Sequence, residues 1–303
     1  MEYVLKTQGL QKKYKNFSAL SDVSMRVPKG SIYGFVGRNG SGKTTLIRVI
    51  CGLQSPTRGS YSLYGINGAG GAIAKARRRM GAVVETPAIY TALSARDNLK
   101  QQYRVLGLPS FDGIDELLEL VGLSDSGRKR AGDFSLGMRQ RLGIAIALCG
   151  NPDFLVLDEP INGLDPQGIV EIRELILKLN RERQITVLIS SHILDELAKL
   201  ATHYGFIDRG RIVREMSAAE LEAACRKCVR LTVTDAKKLA TVLDEMGCEY
   251  KILGGDTADV FGKPNLTRLA MALAERGCEL LSASEQDESL ESFYISLVGG
   301  EGR

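Results

Sequence analysis

A glycine-rich segment near the N-terminus has the residue types and spacing of a phosphate-binding loop. In order, its residues are Gly37, Arg38, Asn39, Gly40, Ser41, Gly42, Lys43 and Thr44, and Thr45 follows them. Glycines let the backbone wrap closely around a phosphate, and the converging N–H groups and the next helix attract the anion. We expect Lys43 to reach the β- and γ-phosphates of a nucleotide and Thr44 to ligate Mg²⁺. A chance glycine-rich turn is the alternative, but a strand pattern precedes the segment and a helix pattern follows it, as this loop requires.

Two adjacent acids, Asp158 and Glu159, follow four apolar residues at 154–157. A continuous apolar run is typical of a strand buried on both faces of a parallel sheet. Acids at the carboxyl end of such a strand point into the crevice where ligands bind. Asp158 is the candidate Mg²⁺ ligand, and Glu159 is the candidate general base for the attacking water. The alternative is that both acids cap the following helix, which their position downstream of the glycine-rich loop disfavours.

The elements that must position these residues alternate between strand and helix patterns through the first two-thirds of the chain. Apolar runs predict strands at residues 31–36, 82–84, 154–157 and 185–189, and helical patterns cover residues 44–50 and 168–179. This alternation predicts an α/β domain with a largely parallel sheet.

The pattern changes near Met216, where a smaller set of elements begins. It predicts, in order, a helix at 218–227, a strand at 229–234, a helix at 236–246, a hairpin from 251–253 and 258–261, a helix at 265–276, an extended segment at 279–283 and a last helix at 290–298. We therefore predict two domains, a nucleotide-binding domain at 1–217 and a small α+β accessory domain at 218–303.

Three further motifs make a family resemblance specific. The segment at 135–142 resembles the signature motif of ABC ATPases, whose usual form is LSGGQ followed by a basic helix. The segment at 162–165 resembles the D-loop of that family, and Ser190-Ser191-His192 resembles its H-loop. The resemblance covers residues 3–216 with every motif in order. It implies a P-loop NTPase fold with a mixed, largely parallel core sheet, an antiparallel β edge and a helical signature subdomain.

The resemblance also assigns roles to single residues. Ser135 and Gly137 would hold the γ-phosphate of a nucleotide on the opposite subunit, at a helix N-terminus, and Asp165 would contribute from the D-loop. His192 would hydrogen-bond the γ-phosphate and orient the water. Tyr14 stands where the family stacks an aromatic ring on adenine, although an ordinary surface tyrosine would have the same sequence context. His203 has no such placement, and we interpret it as structural.

The sequence departs from the family pattern at two motifs. Glu85 replaces the usual glutamine of the Q-loop, and a carboxylate can still ligate Mg²⁺. In the signature, Leu136 replaces the first of two glycines and Met138 replaces the glutamine, while Ser135 and Gly137 remain. These changes affect the expected strength of phosphate binding across the subunits and the coupling to a membrane partner.

What the resemblance implies overall is an ATPase that works as a pair. Each chain would hold two half-sites, so ATP and Mg²⁺ would be sandwiched between two subunits, most simply a homodimer. A separate integral-membrane permease would supply the transport path, and the ATPase would lie at the cytoplasmic face of the membrane.

The segment at 285–300 is similar to the tail of bacterial exporters of the bacitracin and lantibiotic resistance type, and residues 85–90 resemble their Q-loop. A plain amphipathic helix is the alternative for that tail.

Composition narrows the function classes. The 303 residues carry a formal net charge of only +4, spread along the chain, which does not suggest a nucleic-acid binder. No apolar run is long enough to span a bilayer and no signal peptide is evident, so we expect no direct membrane insertion. We expect the six cysteines to be reduced and mostly packed, and the Cys225–Cys228 pair alone is weak evidence for zinc.

A soluble ABC-type machine acting on ribosomes or nucleic acid, or an ATP-switched regulatory module, remains an alternative to a transport ATPase.

Overall fold

The computed structural model describes residues 2–224, 228–262, 264–286, 293–295 and 297. The chain groups into two compact units, Met1–Ala218 and Ala219–Arg303. The strands of the first unit are β1 (Tyr3–Tyr14), β2 (Phe17–Val23), β3 (Arg26–Pro28), β4 (Ile32–Val36), β5 (Arg58–Leu63), β6 (Ile66–Asn67), β7 (Met80–Val83), β8 (Phe154–Asp158), β9 (Thr186–Ser191), β10 (His203–Asp208) and β11 (Arg211–Ser217). Its helices are α1 (Lys43–Ile50), α2 (Ile73–Arg77), α3 (Ala95–Leu106), α4 (Ile114–Leu120), α5 (Leu136–Leu148), α6 (Pro166–Arg183) and α7 (Leu194–Ala198).

The core sheet of the first unit has the strand order β11-β10-β4-β9-β8-β7. All neighbouring pairs are parallel except β10 with β11. Every residue of β4, β8 and β9 is buried, because helices or a second sheet cover both faces, and this explains the continuous apolar runs. The prediction of an α/β fold with a largely parallel sheet is confirmed.

A second, antiparallel sheet packs beside the core sheet. It has the order β2-β1-β5-β6, with β3 paired to β1. One hydrophobic cluster joins residues of this sheet to α1 and to the central strands, among them Leu5, Leu63, Ile47, Phe35 and Val156. The helix that follows the glycine-rich loop is therefore clamped between two sheets, and this fixes the direction in which its N-terminus points.

The helices α3, α4 and α5 form an arm that the chain inserts between β7 and β8. Ser94 caps α3 by accepting a hydrogen bond from the Asp97 N–H at 3.1 Å. α5 returns against β7, where a Cβ at Gly81 would lie 2.2 Å from the Ala147 carbonyl oxygen. Glycine is needed at this crossing, and the close approach brings the arm directly against the edge strand that precedes Glu85.

The second unit is an antiparallel sheet with helices. Its elements are α8 (Ala218–Ala224), β12 (Cys228–Val233), α9 (Ala236–Glu245), β13 (Tyr250–Gly254), β14 (Thr257–Phe261), α10 (Leu266–Glu275) and β15 (Leu280–Gln286), in the sheet order β13-β14-β12-β15. Leu239, Leu243, Leu269 and Leu273 bury their side chains in a core shared with the central strands. Each predicted element up to residue 286 is found within a few residues. Of the predicted helix at 290–298, only 293–295 and 297 are described, and these are helical.

The cysteines that the structure describes are free thiols, in part or wholly buried. Burial raises the pKa of Cys51 and of Cys149 to about 12, so both stay protonated at neutral pH. Cys225 lies outside the described residues. No helix in the described part of the chain is both long and apolar enough to cross a membrane.

Candidate nucleotide-binding site

The glycine-rich loop, the two acids and His192 meet at one edge of the core sheet. The glycine-rich loop follows β4, His192 follows β9, and Glu159 follows β8. Because these three strands are parallel neighbours in the order β4-β9-β8, their carboxyl ends open into one crevice. Glu85 leaves the adjacent strand β7 at the same edge.

The glycine-rich loop wraps tightly over its own backbone. A Cβ at Gly37 would lie 2.4 Å from the Ser41 hydroxyl oxygen and 2.6 Å from the Ile207 carbonyl oxygen. Gly42 has a φ of +113° and precedes α1 as its N-cap, without a side chain to satisfy the helix N–H groups. The N-terminus of α1 therefore offers N–H groups to an anion. Arg38, Asn39 and Gly40 are exposed at the tip of the loop, while Thr44 and Thr45 are half-buried.

Lys43 is buried and already has partners. Its amino group donates to the carbonyl oxygens of Gly37 at 2.6 Å and Arg38 at 3.2 Å. It also lies 3.2 Å from Glu159 Oε1, with only 5% of the lysine side chain exposed. A buried ammonium needs anionic partners, and here the predicted general base supplies the charge that a phosphate would supply in the nucleotide complex.

Ser190 joins the two acids of the β8 end. Its hydroxyl donates to Asp158 Oδ1 at 2.6 Å and accepts from the Glu159 N–H at 2.9 Å. Asp158 is 1% exposed, and its Oδ2 is buried with no hydrogen-bond partner among the described residues. An orphaned carboxylate oxygen next to a phosphate-binding loop fits an Mg²⁺ ion or its water shell, since this ion prefers oxygen ligands.

Glu159 is held in a strained backbone conformation. Its φ is +49°, which is uncommon for a residue with a side chain and recurs at functional sites. Its Oε2 lies 2.7 Å from His192 Nδ1. The carboxylate thus touches His192 with one oxygen and Lys43 with the other, and this arrangement brings together all three residues predicted to be catalytic.

Tyr14 lies at the end of β1 and is 40% exposed. Its hydroxyl donates to Gln54 Oε1, and the Lys12 amino group lies 5.2 Å from the centre of its ring. Lys12 in turn donates to the Ser55 carbonyl oxygen at 2.8 Å. These contacts fix the orientation of the ring while leaving part of it open to solvent.

Glu85 is bonded to an arginine of α1. Arg48 Nη2 donates to Glu85 Oε1 at 2.6 Å, and the carboxylate side chain is 53% exposed. Glu85 also has a positive φ of 59°. The carboxylate thus has a cationic neighbour, and its role as a metal ligand stays a prediction.

The signature residues begin a helix at a different part of the unit. Ser135 is the N-cap of α5, and its hydroxyl accepts from the Met138 N–H at 3.2 Å. Asp165 is the N-cap of α6 and accepts from the Gly168 N–H at 3.1 Å. The two helix starts are neighbours, since a Cβ at Gly163 would lie 3.4 Å from Leu136 Cδ2. Within one chain, both predicted nucleotide contacts therefore act as helix caps.

Three residues of the site were not assigned a role from the sequence. The sequence shows Ser190 as a serine at the end of a strand. Its two hydrogen bonds, one to each acid, require β9 to lie beside β8, which the sequence does not reveal. Arg48 had no motif to mark it, although it stands four residues after Thr44 on one helix. Gln54 lies in a loop and gave no signal.

Together these residues can bind a triphosphate and activate water. The loop and Lys43 can neutralise phosphate charge, and Asp158 with Thr44 can hold a metal. Glu159 and His192 can orient and polarise a water molecule. The residues gathered at this edge would thus cover one side of a nucleotide.

The comparisons with known proteins agree with this chemistry. The family model described as ABC transporter matches residues 20–162. The chain is 39% identical over 307 residues to the bacitracin transport ATP-binding protein BcrA of Bacillus licheniformis, and the match covers 99% of both chains. It is 44% identical over 212 residues to the lantibiotic transport ATP-binding protein SrtF of Streptococcus pyogenes, which covers 70% of this chain and 90% of that protein.

Solved structures give the same fold. A dimeric ATP-binding cassette in a post-hydrolysis state with ADP and phosphate has a TM-score of 0.65 and 25% identity, and covers 71% of this chain and 98% of its own. The protein cbiO1 of Clostridium perfringens, part of an ABC transporter complex, also has a TM-score of 0.65 at 25% identity, and covers 82% of this chain and 97% of its own.

The two hydrogen bonds of the Ser190 hydroxyl can be tested by mutation. We expect Ser190→Ala to lower ATP turnover at least about tenfold, as loss of a group that orients ligand residues typically does. It should also destabilise the fold by about 1–3 kcal/mol, because Asp158 Oδ1 loses its buried donor. Steady-state ATPase rates and thermal unfolding would measure the two effects.

The matched control is Thr186→Val on the same strand. Thr186 is 1% exposed and its hydroxyl accepts from the Gly30 N–H at 2.9 Å, away from the acids. It should lose stability to a similar degree while the turnover of the folded protein is retained. Equal turnover losses in both variants would contradict the role given to Ser190.

Proposed function

The chain belongs to the ATP-binding subunits of ABC transporters, which bind and hydrolyse ATP, and from that premise we propose that two copies close face to face around two ATP molecules. In each site, the loop and Lys43 of one copy would bind the phosphates from one side. The start of α5 in the other copy, with Ser135 and Gly137, would cover the γ-phosphate. The solved dimeric cassette with ADP and phosphate supports this arrangement.

Gly137 is the residue whose surroundings most support a contact with a second copy. Among the residues that the structure describes, a Cβ there would meet only Leu164 Cδ2, at 3.8 Å, which is ordinary van der Waals contact. Its φ does not lie in the left-handed region, so the fold of one chain does not require glycine at this position. The N-terminus of a helix attracts anions, and the missing side chain leaves room for one to approach. An incoming phosphate held by another copy explains the glycine.

The contact between Lys43 and Glu159 is the one that ATP binding would break. Phosphate oxygens would take over the amino group and free Glu159 Oε1, while Oε2 stays near His192. The freed carboxylate would then accept a proton from the attacking water as it adds to the γ-phosphorus, and ADP would leave with the bridging oxygen. Loss of the γ-phosphate removes the bond to Ser135 of the other copy and lets the pair separate.

We further propose Mg²⁺ as the metal of the site. Asp158, through the Oδ2 that has no hydrogen-bond partner in the described part of the chain, and the Thr44 hydroxyl would hold it, and Glu85 would be a further ligand. When bound, the ion would neutralise charge that develops on the phosphates. The bond from the Ser190 hydroxyl to Oδ1 fixes the Asp158 carboxylate and would leave Oδ2 for the ion.

The cargo class follows from the relatives. BcrA is named for bacitracin transport and SrtF for lantibiotic transport. We propose that this chain drives the export of a peptide antibiotic or a similar amphiphile through a separate membrane permease, on the cytoplasmic face of the membrane. We also propose that residues 1–217 form the nucleotide-binding domain and residues 218–303 form an accessory domain.

The first test uses Glu159→Gln. We expect ATP hydrolysis to fall by about 10²- to 10⁴-fold, the range of general-base effects, and an ATP-bound dimer to accumulate. Sedimentation with ATP and with ADP would measure the dimer, and only ATP should produce it. A variant that hydrolyses at the normal rate and stays monomeric with ATP would refute the role assigned to Glu159.

The second test uses Gly137→Ala. Because the chain has room for the methyl group, we expect the melting temperature to stay the same or rise slightly. In a Glu159→Gln background, the ATP-dependent dimer should be lost, while nucleotide binding to the monomer is retained. Persistence of the dimer at unchanged ATP concentration would argue against the phosphate contact of Gly137.

The third test addresses the cargo. Expression of the chain with its permease in a bacitracin-sensitive strain should raise the inhibitory concentration of the peptide. The Glu159→Gln variant, expressed at an equal level, should give no protection because export requires turnover. Equal protection by both versions would contradict ATP-driven export.

A further inference from the structure

Within the described residues, the Glu85 carboxylate is bonded through one of its two oxygens. Arg48 Nη2 donates to its Oε1 at 2.6 Å. Among the described residues, its Oε2 accepts no hydrogen bond. One oxygen of the carboxylate is thus anchored while the other stays available to a further ligand.

Arg48, which holds Glu85, lies on the same helix as Thr44, a predicted metal ligand. Thr44 and Arg48 are four residues apart in α1, so their side chains share one face of the helix, one turn apart. On the other side, Val83 pairs with Leu157 in the parallel register of β7 and β8. Glu85 therefore follows, by two residues, a strand that lies about 4.8 Å from the strand ending in Asp158.

Charge explains why such an anchor is needed. Asp158, Glu159 and Glu85 all follow strand ends at the edge of the sheet where a triphosphate would bind, and a third carboxylate adds repulsion. A neutral glutamine at position 85 would need no compensation. The exposed fractions of Arg48 and Glu85, 35% and 53%, permit the alternative of an ordinary surface ion pair, which contributes about 0–1 kcal/mol and nothing to the site. The positive φ of Glu85 (59°) and the position of Arg48 below Thr44 favour the specific role.

We propose that Arg48 is a positioning residue that acts through Glu85. Its guanidinium fixes the carboxylate by Oε1 and offsets its charge, so that Oε2 would be available to the Mg²⁺ shell. The chain thereby uses an arginine–glutamate pair in place of a single glutamine. This inference rests on the Mg²⁺ site of the proposed function.

The test measures binding rather than turnover. The probe is an imido analogue of ATP that is not hydrolysed, and its dissociation constant is measured by titration calorimetry on the full chain, with Mg²⁺ and with a chelator. The ratio of the two constants reports the contribution of the metal. We expect Arg48→Met, which keeps the length of the side chain but removes its charge, to lower this ratio about tenfold.

The conservative change Glu85→Gln distinguishes positioning from a general structural effect. Because the amide needs no cation, we expect the ratio in Glu85→Gln to stay within about threefold of the wild type. Adding Arg48→Met to it should then change the ratio less than twofold. This difference between the two backgrounds is the coupling that a double-mutant cycle isolates.

Arg183→Met is the matched control. Arg183 Nη2 lies 2.8 Å from Glu116 Oε1 with exposed fractions of 32% and 71%, a comparable pair on α6 and α4. It should leave the ratio unchanged. A wild-type ratio in Arg48→Met, or equal losses from Arg48→Met in the wild-type and Glu85→Gln backgrounds, would overturn the inference. A wild-type affinity that Mg²⁺ does not alter would overturn the metal site of the proposed function, and this inference with it.

Discussion

The requirement of a buried ammonium group for negative partners organises the site. Lys43 is 5% exposed, and burying its amino group is costly in free energy unless carbonyl or anionic oxygens surround it. The fold meets this requirement by two routes: the loop turns its own carbonyl groups toward the lysine, and the β8 strand end brings Glu159 to 3.2 Å. Both depend on parallel strands that end at the same edge of the sheet.

The same edge explains why single polar groups serve several residues. Ser190 lies on β9, between the strand of the loop and the strand of the acids. Its position lets one hydroxyl order the Asp158 carboxylate and the backbone of Glu159 at once. The strain in the Glu159 backbone is thereby offset by hydrogen bonds that its N–H donates to Ser190, on a strand that is itself fully buried.

Much of this could be predicted from the sequence, because the loop, the acids and the histidine are local motifs on strongly patterned elements. The buried strands were recognisable from continuous apolar runs, and the helix after Gly42 from its periodicity. The order of the strands could not be derived from those patterns, and the contacts of Ser190 depend on that order. The partners of Glu85 and Tyr14, Arg48 and Gln54, are fixed by the packing of α1 and its following loop against other elements. No local pattern encodes such a contact between segments distant in sequence.

The lysine–glutamate contact also has a consequence for selectivity among anions. A carboxylate tethered to the same fold competes with any incoming anion at a high effective concentration. Free inorganic phosphate, which offers few other bonds, must displace Glu159 with little in return. A nucleoside triphosphate would make additional contacts, through its other phosphates along the loop and through its nucleobase. It can therefore outcompete the internal carboxylate of Glu159. We therefore expect the Lys43–Glu159 contact to favour nucleotides over small anions such as phosphate.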